Sequence, residues 1–268
     1  MDIKISNSCQ FCNKKSTRLI LFLGYQPTVN DYNLHKSHNQ KLFPMSLVKC
    51  DNCELFQLRE IINNKILFPK SYPYTSSTTK ILRENFEDLA RKIFKNKFIS
   101  KDEIILDIGS NDGNLLSNFL NKTKVLGITP ENIGKKALAK GIPTIIDYFN
   151  NKTSNLIKKK YGKCKIITAT NVFAHINDIN NVLSNIKNIL KKDGLFISEN
   201  HYFLDLIQTL QYDTIYHEHL RYYTITHLKK LFYKNNMEIF DVQKIKTHGG
   251  SIRVFASRKG AFKIKKSV

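Results

Sequence analysis

The sequence predicts an α/β protein: a doubly wound sheet that takes up most of the chain, with a small cysteine-bearing unit in front of it. Three observations carry this. From residue 103 onward, short apolar runs alternate with helical patterns, which implies parallel strands with helices on both faces. Ahead of that region, four of the five cysteines fall into two CxxC pairs. The length of 268 residues suits one large domain with an appendage.

Residues 1–70 form the first unit. Short apolar runs are separated by turn residues such as Gly24, Pro27, Asn30 and Pro44. Such a segment has too little core to fold alone and suits short strands around a metal. The two pairs are Cys9-x-x-Cys12 and Cys50-x-x-Cys53. Four thiolates give a closed tetrahedral zinc site with no open position for catalysis. Cys164 stands apart and reads as core. Residues 71–260 form the second unit, opening with the loop Ser71-Tyr-Pro-Tyr-Thr-Ser-Ser.

The spacing of Leu82, Phe86, Leu89 and Ile93 predicts an amphipathic helix over 81–94. Strands follow at 103–108, 124–128, 142–146, 164–169 and 195–199. Helices lie between them at 115–120, 132–140, 154–160 and 179–191. Gly141 marks one helix end as a C-cap residue, and Asp193-Gly194 marks another. A last helix at 227–235 precedes strands at 238–245 and 251–257. Residues 261–268 are a basic tail containing Lys263-Ile-Lys-Lys266.

Lys and Arg number 43 against 22 Asp and Glu, a formal charge of +21. Such a balance favours polyanionic partners. Yet Lys and Asn are spread throughout, as in the compositional drift of an AT-rich genome, and nucleic acid is not the expected partner. Lys158–Lys160 sits beside a helical pattern, as a solvated face does. No run of 18 apolar residues exists, so no helix is expected to span a membrane. The start lacks the apolar stretch of a secretory signal. CxxC pairs suit a reducing compartment, and the expectation is a cytoplasmic protein.

Four constellations carry chemistry. In Ile104-Ile-Leu-Asp-Ile-Gly-Ser-Asn-Asp-Gly-Asn114 a buried strand runs through a glycine turn into a helix. Gly109 and Gly113 would let backbone approach a ligand. Asp107 would sit at the carboxyl edge of the sheet, where ligands of doubly wound folds bind. Asn111 breaks the G-x-G-x-x-G spacing of dinucleotide enzymes, and no Gly-Lys-Ser/Thr makes a P-loop. The pattern, with Asp112, resembles motif one of S-adenosylmethionine-dependent methyltransferases. That resemblance implies a Rossmann-like methyltransferase sheet. It also places the ribose near Thr129 or Glu131, the adenine near Asp147 and Phe149, and the sulfonium near Asn171 and His175.

The second constellation is the cysteine set. The third is Tyr212-Asp-Thr-Ile-Tyr-His-Glu-His-Leu-Arg-Tyr222. Read as an extended segment, it puts His217 and His219 on one face and Glu218 on the other. Imidazole can serve as a general base, with an adjacent Glu or Tyr orienting it. The fourth is Thr247-His-Gly-Gly-Ser-Ile-Arg253. It reads either as a turn between strands or as a place where Ser251 and Arg253 contact phosphate or a hydroxyl.

Taken in order, CxxC…CxxC, Tyr-Pro-Tyr-Thr-Ser-Ser, DIGSNDG, NVFAH, DTIYHEHLRYY and HGGSIR resemble the sugar C-methyltransferases over residues 9–258. The resemblance implies methylation at carbon 3 of a nucleotide-linked 4-keto deoxysugar through an enolate. It implies a structural Zn2+ unit ahead of an S-adenosylmethionine domain, with Tyr216, Glu218 and His219 carrying the chemistry. A tyrosine of the loop, Tyr72 or Tyr74, is expected to face the substrate. Members of that family continue into a third domain that helps hold the nucleotide-sugar. Its absence here leads to the expectation of a truncated chain, a separate partner chain or a different substrate. Two other readings stand beside it. A zinc-ribbon RNA methyltransferase is suggested by the charge, but lacks an Asn-Pro-Pro-Tyr type motif. A non-catalytic cofactor-binding remnant is suggested by Thr129 and the missing domain.

Overall fold

The computed structural model describes residues 2–30, 40–70 and 73–268. Strands β1 (Ile3–Ile5), β2 (Thr17–Gln26), β3 (Phe43–Cys50), β4 (Phe56–Leu58) and β5 (Glu60–Ile62), then helix α1 (Asn64–Leu67), make up the N-terminal part. Next come α2 (Lys80–Lys95), β6 (Ile104–Ile108), α3 (Asn114–Ser117), β7 (Lys124–Thr129), α4 (Gly134–Ala139), β8 (Thr144–Ile146), α5 (Asn151–Tyr161) and β9 (Cys164–Thr170). The chain continues through α6 (Ile179–Ile189), β10 (Leu190–His201), α7 (Phe203–Gln208), β11 (Arg221–Tyr222), α8 (Ile225–Lys234), β12 (Met237–Ile245) and β13 (Ser251–Arg258).

The large sheet runs β12-β13-β10-β9-β6-β7-β8. Strands β6 to β10 pair in parallel, while β13 is antiparallel to both its neighbours. The parallel strands are nearly continuous apolar runs because both faces are covered. On one face α2 buries Leu82, Phe86, Leu89, Ala90 and Ile93 against Ile105, Ile166 and Ile197. On the other, α6 and α8 bury Ile186, Leu228 and Phe232 against Ile167, Phe196 and Val254.

The expected alternation is found, with instructive shifts at its ends. Helix α5 starts three residues early because Asn150 and Thr153 form a reciprocal capping box. Helix α3 stops at Ser117, since Ser117 and Asn118 donate to the carbonyls of Asn114 and Leu115 and close the turn. Helix α7 was not among the expected elements; its Phe203 packs on Phe56. The basic tail is docked: Lys265 pairs with Asp241 at 2.6 Å, and Phe262 stacks on Phe240.

A four-stranded sheet, β11-β4-β3-β2, joins the two parts of the chain. Arg221 and Tyr222 pair with Gln57 and Phe56. A strand from late in the sequence therefore completes the sheet that bears the cysteines. No helix among the described residues is long and apolar enough to cross a membrane.

Candidate active site and metal centre

The four cysteines converge. Each CxxC turn closes on a residue with positive φ, Asn13 at 61° and Glu54 at 66°, whose N–H donates to the carbonyl of Cys9 or Cys50. All four sulfurs lie within 4.8 Å of one another. The pairs Cys9–Cys53 and Cys12–Cys50 are 3.5 and 3.7 Å apart. Zinc at tetrahedral thiolate distances requires separations of about 3.8 Å. The Phe11 N–H donates to Cys9 Sγ, and Ser16 Oγ lies 3.4 Å from Cys50 Sγ. Hydrogen bonding from Cys53 draws the Cys9 thiol down to about 5. The set fits a zinc ion, with Cys9, Cys12, Cys50 and Cys53 as its ligands.

A cavity of about 530 Å³ opens at the carboxyl ends of β6, β7, β9 and β10. At its floor Asp107 accepts from Thr168 Oγ1 at 2.6 Å. Burial pushes the Asp107 carboxyl up to about 7; the Thr168 bond opposes this, and the charge of Glu199 adds to it. The turn beyond Asp107 needs positive φ at Gly109 (74°), Asn111 (50°) and Gly113 (79°). Gly109 and Asn111 line the cavity, whereas Asp112 and Gly113 do not. Asp112 instead accepts from Ser76 Oγ at 2.7 Å and pairs with Lys140 at 3.1 Å. A Cβ at Gly113 would lie 2.6 Å from Ile142 Cδ1 and 3.0 Å from Ala137 Cβ, so the position faces packed side chains. Even Asn111 turns its side chain away, accepting from Ser76 N and donating to the carbonyl of Tyr74. The polar side chains of this motif thus fasten the loop that brings Tyr74 to the cavity. Tyr72 lies outside the described residues.

Thr129 and Glu131 both line the cavity, and the Thr129 hydroxyl donates to Glu131 Oε2 at 2.5 Å. Burial raises the Glu131 carboxyl. The pair offers a hydroxyl and a carboxylate oxygen where the sequence left the choice open. Asp147, Phe149, Asn171 and His175 complete this wall. Asn171 holds φ 57° and its buried Oδ1 has no partner among the described residues.

The opposite wall carries Tyr216, Glu218 and His219. Their segment is not extended: His219 N–H donates to the Tyr216 carbonyl and closes a turn. His217 and His219 therefore do not share a face. His217 Nε2 lies 3.2 Å from the Pro44 carbonyl, outside the cavity. His219 Nδ1 faces the Thr214 carbonyl at 3.4 Å, an acceptor only, so Nδ1 carries the proton. Nε2 then accepts from the Tyr216 hydroxyl at 2.9 Å. Burial holds the His219 imidazole well below its usual range, and His175 and His201 add to the effect. Burial also raises the Tyr216 phenol. Glu218 accepts from Asn30 Nδ2 at 2.7 Å, and its other oxygen is 4.0 Å from His175 Nδ1. The N-terminal part thus reaches into the site through Asn30, Phe68 and Asn64.

Two histidines of the cavity were not expected as site residues: His201, which ends β10, and His248, which lies within the fourth constellation. His201 could have been found by its place at the carboxyl end of a parallel strand. The expectation for Arg253 is corrected. It is fully buried, bound to Glu199 at 2.6 Å, Asp88 at 3.1 Å and Asn85, and does not line the cavity. Ser251 donates to the Thr247 carbonyl and closes the turn between β12 and β13.

Fold and cavity together define a methyltransferase. The family model described as "Methyltransferase domain" matches residues 78–242, and the chain belongs to that family. A model described as "Putative zinc binding domain" matches residues 9–68. The chain is similar to the C-methyltransferase NovU of Streptomyces niveus, 29% identical over 255 residues, which are 94% of this chain and 60% of that protein. It thus spans 60% of that relative's length. Among solved structures it is similar to an S-adenosylmethionine-dependent methyltransferase from Clostridium acetobutylicum, with TM-score 0.52 and 17% identity over 69% of this chain and 94% of the other. Magnesium protoporphyrin IX methyltransferase from Synechocystis, with bound SAH, gives TM-score 0.51 and 13% identity over 66% and 83%. At these identities the likeness is one of fold.

Proposed function

We propose that this protein is an S-adenosylmethionine-dependent C-methyltransferase that acts on a nucleotide-linked keto-deoxysugar through an enolate. The observation that carries this is the Tyr216–His219 pair, a neutral imidazole accepting from a phenol on the cavity wall. The donor supplies an electrophilic methyl group when bound. Asp107, the Gly109 backbone, the Thr129–Glu131 pair, Asp147 and Phe149 would hold it, and the orphaned Asn171 Oδ1 offers it an acceptor.

A carbon beside a ketone gives up its proton only when a base is poised and the oxyanion is stabilised. His219 is the proton acceptor. Tyr216, whose O–H occupies Nε2, takes the substrate proton on its oxygen as its own proton passes to Nε2. Glu218, held by Asn30, reaches across to within 4.0 Å of His175 Nδ1. Tyr74 is placed at the cavity by the Asn111 clamp.

Among the described residues, no Lys or Arg lines the cavity. A diphosphate calls for such groups. This supports a nucleotide end held by a further domain or a separate chain, while the sugar enters the cavity. The zinc unit is structural, and five free cysteines suit the cytoplasm. Residues 1–70 and 71–260 serve as the two working units.

His219→Asn tests the reading. Zinc content and cofactor binding should persist while methyl transfer and solvent deuterium exchange beside the ketone fall by about two to four orders of magnitude. Exchange at the wild-type rate would assign the base elsewhere. Salt-dependent RNA binding with no turnover of keto sugars would favour the RNA reading instead.

A further inference from the structure

Arg221 is 1% exposed, and among the described residues its hydrogen-bond partners are all neutral oxygens. Its Nε donates to the Tyr223 hydroxyl at 3.0 Å, and Nη1 donates to Gln10 Oε1 at 2.8 Å and to the Asn177 carbonyl at 3.4 Å. Nη2 donates to the Ile176 carbonyl. A buried cation is costly unless an opposite charge stands near. One arm of this fork ends in the metal centre, because Gln10 is the residue after Cys9 in the first CxxC turn. Four thiolates around Zn2+ leave a net charge of about −2. A loaded centre thus supplies the counter-charge that the neutral partners lack.

Gln10 is itself fixed. Its N–H donates to Gln57 Oε1 at 2.7 Å, and its Nε2 donates to the Leu58 carbonyl at 2.9 Å. Gln57 stands opposite Arg221 in the β4–β11 pairing. The other arms of the fork end in the cavity wall, since Ile176 and Asn177 follow His175 and line the cavity with it. The same late segment holds the rest of that turn. Leu220 N–H donates to the Ala174 carbonyl at 3.1 Å, and the Tyr223 hydroxyl donates to the Phe173 carbonyl at 3.4 Å. A planar guanidinium fixes several oxygens at set angles, which an ammonium on a flexible stem does not. The position of the first CxxC turn therefore bears on the position of the wall beside His175.

We propose that Arg221 is a positioning residue that joins the cysteine centre to the cavity through Gln10, so that metal at the four cysteines and a ligand beside His175 each tighten the binding of the other. Coupling of this kind is reciprocal by thermodynamic necessity. The metal stays outside the chemistry, and its part is to hold the turn from which Arg221 sets the wall. The coupling does not depend on which acceptor is methylated.

The test uses the full zinc-loaded chain and no sugar, so its failure leaves the proposed acceptor standing. Zinc affinity is measured at equilibrium against a competing chelator, with and without saturating S-adenosylhomocysteine. In the wild type that ligand should tighten zinc at least about fivefold. Gln10→Leu and Gln10→Glu both lose the bond to Leu58, but only the glutamate keeps an oxygen for Arg221. Gln10→Leu should still bind zinc while the tightening shrinks to less than about twofold, and Gln10→Glu should keep it. No tightening in the wild type would overturn the proposal. So would full tightening in Gln10→Leu, because coupling through global folding alone survives that change. An equal loss in both variants would also overturn it and assign the effect to the Leu58 bond. If Gln10→Leu fails to fold, Arg221→Lys takes its place, with the charge kept and the fork lost.

Discussion

Gly109→Ala separates a ligand contact from a packing contact. The sequence places Gly109 where added bulk should occupy ligand space. In the structure a Cβ there points at Val172, 2.3 Å from Cγ2 and 3.1 Å from Cγ1. Val172 is β-branched and has little rotamer freedom with which to yield. Gly109 also sits at φ 74°, and an L-residue there costs about 1–2 kcal/mol. Overpacking adds about 1–3 kcal/mol, so the variant should be destabilised by about 2–5 kcal/mol. Val172→Ala in the same chain should recover the packing part and leave the backbone part. Urea denaturation of both single variants and the double one measures this, with calorimetry of S-adenosylmethionine binding alongside. The double variant should be more stable than additivity predicts by about 1–3 kcal/mol. Additivity within about 0.5 kcal/mol would refute the contact, and a stable Gly109→Ala that merely fails to bind would return the glycine to ligand approach.

Asp107 makes stability depend on pH. Its folded pKa of about 7 lies above the ordinary carboxylate value, so the stabilisation it gives is full below about pH 4 and lost as pH rises through 7. Asp107→Asn should flatten that part of the urea-midpoint profile, and an unchanged slope would contradict the burial argument. Arg253→Ala should cost about 3–5 kcal/mol, because it strands the buried Glu199; thermal unfolding reports it, and a near-neutral result would free Arg253 for a ligand role. Purified protein should carry about one zinc per chain by the four-thiolate rule. Chelation should lower the melting temperature, and a folded protein with no metal would refute the site.

The strand–helix alternation was legible because buried parallel strands are continuous apolar runs, and that signal survives in one sequence. The cysteine centre was legible because each pair is local. The histidine cluster was not. His175, His201, His219 and His248 come from four separate segments that only the sheet order brings together. Arg253 was misread for a related reason. It faces Glu199 directly across the β10–β13 register, a pairing that no local pattern announces. The turn after β6 misled in part: its asparagine and aspartate look aimed at a ligand, yet they bind the Tyr74 loop.

The pairing of Arg221–Tyr222 with Phe56–Gln57 bears on how the protein is made. The cysteine unit emerges first from the ribosome, but its sheet stays one strand short until residue 222 follows. At about 5–20 residues per second, the gap of roughly 150 residues leaves that edge open for about 8–30 s. An open edge is a template for pairing with other chains. Early metal capture would guard the nascent unit during this interval. The same wiring limits shuffling: a cut near residue 70 falls between two stretches of sequence, but it divides a hydrogen-bonded sheet.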